Sequence, residues 1–430
     1  MAYQSSYKIN EFTLNTKSEI ERLEAQVDLF WEKELSLYKM SGLANGMAIV
    51  ECGCGTGIVG RKLRQSFPGC KITAFDIDPI LVETAKNNAQ SLGLDNYEVF
   101  ELPILGTGLP GNTYDFAIAR LVLEHLSKPT DAIQEVFRIL KPDGKAVFID
   151  NDFEFHLRTY PDLPELKDLY DAYCRARQDG GGNPKIGREL PNLLKHSGFT
   201  DIDLQIISAH SSIVGDSIFL RSEGSGIPAK LLKDGYLSSE IYTKIAQKWK
   251  RLLKTDGHSL YRQLFFCVGV KPLQKSIENT KEATRTVVPK LLVEKRTSSN
   301  MAEVGNEIRD AKRLTDFNVP TGSTEDQIAS IWSKVLNRDE IASDENFFEA
   351  GGSSLYALEI VDFLQKQFQK KISIVDIFEN PTISLLAKMF KQDHQPKADL
   401  TPEQRKTARI IKIKERRDNI RRLQSKQNGE

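Results

Sequence analysis

Apolar residues fall along this chain in two regimes. Between Met47 and Val270 short apolar runs (Met47–Val50, Lys71–Phe75, Tyr97–Phe100, Tyr114–Ala119, Lys145–Asp150, Ile202–Ala209 and Tyr261–Val270) alternate with segments whose apolar positions recur at helical spacing. Short strands separated by helices predict a mostly parallel sheet covered on both faces, an α/β Rossmann-like fold with seven strands. Helices are expected over Ser18–Met40, Ile58–Phe67, Pro79–Leu92, Thr130–Leu140, Pro164–Gln178 and Gly224–Lys254, with a further helical stretch from Leu121 to Leu126. In the first of these, Ile20, Leu23, Val27, Phe30, Leu35 and Leu37 make the inward face, Ser18 can cap it, and Gly42 lies just past its end.

After Pro272 the pattern stops. Residues 273–320 are dominated by Lys, Glu, Thr, Ser and Asn with few aromatics, too little apolar surface to offset chain entropy, and read as a linker that is helical at most around Ala302–Leu314. From Thr324 a second pattern begins that is helical only. Ile328, Ile331, Trp332 and Val335 share one face. Leu355, Leu358, Val361 and Phe368 share another, and Ile374–Phe378 and Pro381–Phe390 complete a small all-α four-helix unit. Domain limits are therefore expected at 1–272 and 321–392, with 393–430 as a tail whose last thirty residues carry ten Lys or Arg against four acids.

Composition changes this picture little. The chain has 430 residues, 27% of them charged, and no formal net charge, so nothing in the overall balance asks for nucleic acid. No apolar run approaches a membrane span, and no secretory leader pattern stands at the start. The five cysteines show no paired metal-ligand spacing, so no metal is expected and a reduced cytoplasmic setting fits best.

The candidate chemistry sits first at Glu51-Cys52-Gly53-Cys54-Gly55-Thr56-Gly57, where a buried strand runs into glycines that let the backbone approach a ligand. The next strand ends in Asp76, a carboxylate placed to accept hydrogen bonds from ribose hydroxyls. Gly55, Gly57 and Gly60 alone fit a dinucleotide site receiving a pyrophosphate. An acid at Glu51 suits instead a ligand carrying ammonium and sulfonium groups, because like charges would repel a diphosphate. Strand tips surround the crevice of such a sheet, which makes Arg120 a candidate cofactor or substrate contact.

The Glu-x-Gly-x-Gly-x-Gly run, with the passages "YDFAIARLVLEHL" and "RILKPDGKAVFID", resembles class I S-adenosylmethionine (SAM) methyltransferases. That resemblance implies SAM as cofactor, held by Glu51, Gly53, Gly55, Gly57, Asp76 and Ile77, with Glu101 and Leu102 inheriting the adenine contacts. It also implies an N-terminal lid in which Tyr3, Tyr7, Arg22 or Gln26 touches ligand, against a plainer reading as a helix packed over the sheet edge. An acceptor pocket is expected around 150–160. Asp152 and His125 are the candidate catalytic residues, with His156 and Tyr160 as further candidate bases; His125 among leucines also reads as a structural histidine.

In the helical unit, Phe347-Phe348-Glu349-Ala350-Gly351-Gly352-Ser353-Ser354-Leu355 places a serine at a helix start after two glycines that permit a tight turn. The pattern is not the Gly-x-Ser-x-Gly elbow of hydrolases. It is similar to the thiolation (peptidyl or acyl carrier) domains of nonribosomal peptide and polyketide assembly lines. The resemblance implies covalent 4'-phosphopantetheine on Ser354, the serine directly before the apolar residue, with Ser353 as the minor alternative. It also implies a phosphopantetheinyl transferase and upstream and downstream assembly-line enzymes as partners, and a candidate docking helix in the basic tail. The expected function is SAM-dependent methyl transfer to a carrier-bound acyl, aminoacyl or peptidyl thioester, its own carrier or another's. Two other readings stand beside it: conversion of SAM itself to a small product, and a scaffold in which only the carrier works.

Overall fold

The computed structural model describes Ile9 and residues 16–224, 226–273, 322–352 and 354–391. Tyr3, Tyr7, Ser353, the helical stretch expected at 302–314 and the basic tail lie outside the described residues. The first part runs α1 (Thr16–Asp28), α2 (Trp31–Met40), β1 (Ala48–Cys52), α3 (Ile58–Ser66), β2 (Lys71–Asp76), α4 (Pro79–Ser91), β3 (Tyr97–Glu101) and β4 (Tyr114–Arg120). It continues through α5 (Pro129–Ile139), β5 (Leu140–Asp150), β6 (Leu157–Tyr160), α6 (Leu166–Asp179), α7 (Leu190–His196) and β7 (Thr200–His210). Three helices, α8 (Ser211–Val214), α9 (Asp216–Glu223) and α10 (Gly226–Lys233), lead to α11 (Ser239–Leu252) and the long strand β8 (Ser259–Val270).

The strands form one eight-stranded sheet in the order β3-β2-β1-β4-β5-β8, with β7 on the far side of β8. The pairs from β3 through β5 are parallel and those with β8 antiparallel. This is the Rossmann-like, mostly parallel arrangement that the alternation of runs and helices predicts. The eighth strand, β6, continues the β5 side of β8, with Leu157 opposite Arg262. Strand β1 is central, paired with β2 at Glu51–Ala74 and with β4 at Glu51–Ile118, so its carboxyl tip is where the chain must cross. Two apolar layers cover the sheet. One takes Phe30, Trp31, Tyr38, Ile58 and Leu63; the other takes Val136 and Ile139 of α5 with Leu190 and Leu194 of α7. In α5 the buried Ala132, Ile133, Val136 and Ile139 fall on one helical stripe, which is why that segment forms a helix against the sheet.

Local structure departs from the pattern in instructive places. The single helix expected over Ser18–Met40 is broken between α1 and α2, because Leu29 and Phe30 both turn into the core and the chain changes direction there. The helical stretch expected at Leu121–Leu126 shrinks to a 3₁₀ turn at Leu123–His125. Leu121 takes a left-handed φ of 55°, which ends any helix, and its amide goes to Ile149 O at 2.7 Å. The turn expected at Lys141–Gly144 is absorbed into β5 as a register shift against β4. The helical region expected at Gly224–Lys254 is two helices, α10 and α11.

The second part is α12 (Thr324–Leu336), α13 (Ser354–Phe368), α14 (Ile374–Glu379) and α15 (Ile383–Lys391), the expected four helices. Ser323 and Asp326 form a reciprocal capping box that starts α12. Phe347 is fully buried, edge-on to Trp332 at 4.9 Å, and Phe348 stacks on Phe378 at 5.4 Å, so the loop before α13 is nailed to the bundle. A Cβ on Gly352 would lie 2.4 Å from Phe347 O, so only glycine lets this loop close onto the start of α13 at Ser354. The two parts do not stand apart. One apolar core contains Ala172, Leu231, Leu237 and Tyr242 of the first together with Ile328, Trp332, Ile360 and Ile377 of the second.

Candidate active site

The glycine turn is built by backbone hydrogen bonds. Gly53 and Cys54 both donate to Phe75 O, at 2.8 and 2.9 Å, and Gly55 donates to Asp76 Oδ2 at 2.8 Å. Asp76 uses its other oxygen on Asp78 N at 3.0 Å, and Asp78 caps α4 through Ile80 N. One chain of bonds thus joins the tips of β1 and β2. Gly53, Gly55 and Gly57 have φ of 71°, 55° and 75°, the left-handed region. A Cβ on Gly55 would meet nothing within 4 Å, so the backbone there is bare toward open space. Burial lifts the Asp76 carboxyl above its ordinary value, against the amides of Asp78 and Gly55 that lower it.

That turn forms one wall of a cavity of about 910 Å³. Gly53, Gly55, Glu51, Asp76, Ile77, Leu102, Arg120 and His125 line it, as do Arg22 and Gln26 of α1, two of the expected lid contacts. Gly57, Glu101, Asp152 and Tyr160 are not among the lining residues. Gly57 packs below the turn, where a Cβ would meet the Tyr97 hydroxyl at 2.7 Å. Glu101 is exposed at the end of β3, and Tyr160 is 66% exposed.

Asp152, expected as a catalytic residue, is held elsewhere. Its carboxylate takes two donors from Arg188, one of them Nη2 at 2.8 Å, and accepts from Glu154 N at 3.1 Å, so this pairing and not the cavity orients it. Arg120 reaches the cavity but is not free to follow a ligand: Nε and Nη2 grip Glu34 of α2 at 2.9–3.1 Å. Glu51 also differs from a bare anion at a strand tip. It is buried with an oxygen turned toward Gly60 and Tyr97, and burial pushes its carboxyl up to about 8. Its attraction for a cationic ligand therefore requires the loss of a proton over much of the neutral range.

His125 is a locked neutral imidazole. Arg177 Nη1 donates to its Nδ1, while Nε2 lies 3.3 Å from Glu124 Oε1, so the lone pair and the proton are both committed. Burial and the neighbouring Arg177 lower its pKa to about 4. For Glu124, burial raises, but the hydrogen bond from His125 and the charge of Arg177 carry the carboxyl down to about 2. This arrangement matches the structural reading of His125 rather than a mobile base.

A second polar cluster lies deeper, and the sequence pointed only to part of it. His156 faces Asn151 Oδ1 with Nδ1 at 3.2 Å and Glu223 Oε2 with Nε2 at 3.3 Å. Glu223 also accepts from Tyr170 at 3.1 Å and from the fully buried Arg262 at 3.2 Å. Phe153 stacks on the imidazole at 4.4 Å. Burial and Arg262 press His156 toward the neutral form, and Glu223 pulls it back toward imidazolium. Burial alone would raise Glu223, but His156 and Arg262 hold it down at about 2. Asn151, Phe153, His156, Tyr170 and Glu223 all line the cavity. Part of the wall comes from the helical bundle: Phe348, Glu349, Ala350, Gly351, Gly352 and Tyr356 flank the start of α13 and close onto the same space.

The residues at the β1–β2 end fit SAM. A bare glycine backbone, a half-buried carboxylate at Asp76 and apolar Ile77 and Leu102 suit an amino acid, a ribose and an adenine in turn. Among the described residues no cluster of His, Cys, Asp or Glu could hold a metal, and no helix is long and apolar enough to cross a membrane.

Residues 23–204 match the family described as a methyltransferase domain, and residues 326–390 match the phosphopantetheine attachment site family. The chain is 36% identical over 104 residues to bacitracin synthase 2 of Bacillus licheniformis, covering 22% of this chain and 4% of that synthase. It is 26% identical over 238 residues to a malonyl-[acyl-carrier protein] O-methyltransferase of Paenibacillus sp., covering 53% of this chain and 84% of that enzyme. A Haemonchus contortus phosphoethanolamine N-methyltransferase 2 solved with S-adenosyl-L-methionine aligns at 18% identity and a TM-score of 0.40, over 58% of this chain and 56% of that one. The chain thus spans a small fraction of the synthase and most of the O-methyltransferase. It joins a region that matches the methyltransferase-domain family to one that matches the phosphopantetheine-attachment family.

Proposed function

We propose that this chain transfers a methyl group from SAM to an acyl, aminoacyl or peptidyl group held as a thioester on a 4'-phosphopantetheine arm at Ser354, within a nonribosomal peptide or polyketide pathway. On this reading residues 1–272 are the transferase, 273–320 the connection, 321–392 the carrier and 393–430 a basic tail. A phosphopantetheinyl transferase installs the arm, and neighbouring assembly-line enzymes load and unload it. The observation that carries the reading is the shared wall: the loop leading into Ser354 and the glycine turn line one cavity.

When bound, SAM supplies a methyl group already activated by its sulfonium, so the protein's work is alignment and exclusion of water. Gly53 and Gly55 present backbone to the ligand, Asp76 takes the ribose hydroxyls, and Ile77 and Leu102 flank the adenine. Arg120, fixed by Glu34, ties α2 to the tip of β4 and keeps the cavity roof in register. The His156–Glu223 pair, which Tyr170, Arg262 and Asn151 hold in place, lines the same cavity and sets the charge that an acceptor group meets there.

The test is to convert the protein to its phosphopantetheinylated form, load candidate acyl and aminoacyl groups, and follow the carrier's mass with and without SAM. A gain of one methylene that needs SAM and is absent in Ser354→Ala is the expected result. Binding of SAM with no gain on any loaded group defeats the reading. Release of a SAM fragment would assign conversion of SAM itself.

A further inference from the structure

We propose that the carrier domain docks on its own transferase through α10 and α11, so that each chain methylates the thioester it carries and discriminates against foreign carriers. This rests on the reading of the site as a methyltransferase for a carried thioester.

Three observations combine. First, α10 packs on α13 and α14, and α11 on α13. The helix that begins at Ser354 is thus held against the transferase. Second, the contact is apolar at its centre. Ile227 and Leu231 of α10 and Tyr242 of α11 belong to one core with Ile360, Ile377 and Phe378 of the carrier. Burial of this kind is what separates a docking surface from a chance approach of two tethered bodies. Third, the rim is charge-matched: Lys250 near the end of α11 pairs with Glu359, one turn and a residue past Ser354. The pair ties α13 to α11 at the rim of the contact. Phe348 links these features to the site, since it stacks on Phe378 of α14 and also lines the cavity. Tethering holds the carrier at an effective concentration on the order of millimolar, so a modest interface suffices for selection of the chain's own carrier.

The test uses the full chain, loaded on its carrier, against a soluble N-acetylcysteamine thioester of the same acyl group. Lys250→Glu and Glu359→Lys each place like charges in contact and should slow methylation of the chain's own carrier about tenfold. The double exchange should restore it, and the soluble thioester should react at the wild-type rate throughout. An equimolar mixture of Asp76→Ala and Ser354→Ala chains should run far below wild type, with a rate that rises with protein concentration. Single reversals without effect, a double exchange without rescue, or a mixture equal to wild type would each overturn the docking. Failure of the soluble thioester and the loaded carrier together would instead count against the methyltransferase reading. Amide exchange over 226–252 decides the docking even then: it should quicken about tenfold in Lys250→Glu. Exchange equal to wild type overturns the proposal.

Discussion

The two ends of the cavity are made differently. At the cofactor end the ligand-facing groups are backbone atoms and strand tips, set by the tight turn from β1 into α3 and by one aspartate. At the proposed acceptor end they are side chains from the β5–β6 connection, α6 and α9, tied together through Glu223 with Arg262 of β8 behind them. A backbone-built site tolerates change in its surroundings but not in its own few residues. A site built from buried charges depends on every partner, because removing one leaves the others desolvated and unmatched.

The sharpest way to break this comparison is Arg262→Met. Arg262 is fully buried, donates to Glu223 and Asn151, and counters a carboxylate held at about 2. Its loss should cost about 3–5 kcal/mol of stability, read as a drop in the urea midpoint. A variant as stable as wild type would show that the cluster is not interdependent.

Next in size is Asp76→Ala, which removes the acceptor of the Gly55 and Asp78 amides and the ribose partner in one step. SAM affinity should fall about tenfold to a hundredfold by calorimetry, corresponding to about 1.5–3 kcal/mol for a hydrogen bond to a charged group. The fold should survive, since the turn is also held by Phe75 O. If Asp76→Ala proved as destabilising as Arg262→Met, the contrast between the two ends would fail.

The same contrast explains what could be read in advance. The glycine turn, Asp76 and the loop before Ser354 are contiguous or one strand apart, and each demands a residue type that the backbone geometry dictates. Gly352 is required because Phe347 O occupies the space a Cβ would need. The His156–Glu223 pair left no such mark, because its members are 67 residues apart and nothing in the spacing of α9 ties Glu223 to the β5–β6 connection. Asp152 misled for the opposite reason: it stands at a strand end, where a catalytic acid is expected, but Arg188 claims it. The union of the carrier with the transferase was equally invisible, since Ile227 and Ile377 look like ordinary core residues within their own helices.

His125 offers a smaller, signed effect. Its folded pKa of about 4 lies below the unfolded value near 6.5. A depressed histidine contributes stability that is complete above the unfolded value and is lost as pH falls toward the folded one. Stability should therefore decline between about pH 6.5 and 4 by about 2–3 kcal/mol, and His125→Asn should flatten that decline. An unchanged profile in the variant would remove His125 as the titrating group.

The finest test concerns Glu51, which belongs to the cofactor end but behaves like a member of the buried cluster. Its carboxyl sits at about 8 because burial penalises the charge. A sulfonium beside it favours the carboxylate, so the pKa in the complex must lie lower than in the free protein. SAM affinity should then rise as pH increases toward about 8 and level off above it, with the proton released on binding. Adenosylhomocysteine shares the amino and carboxyl groups but lacks the charge, so the ratio of the two affinities isolates the sulfonium. That ratio should shift severalfold in favour of SAM between about pH 6.5 and 8.5, and Glu51→Gln should abolish the shift. A flat ratio in the wild type would mean that Glu51 acts only by bracing Gly60 and Tyr97, and that the cofactor end selects its ligand by shape and hydrogen bonding, with no help from charge at the strand tip.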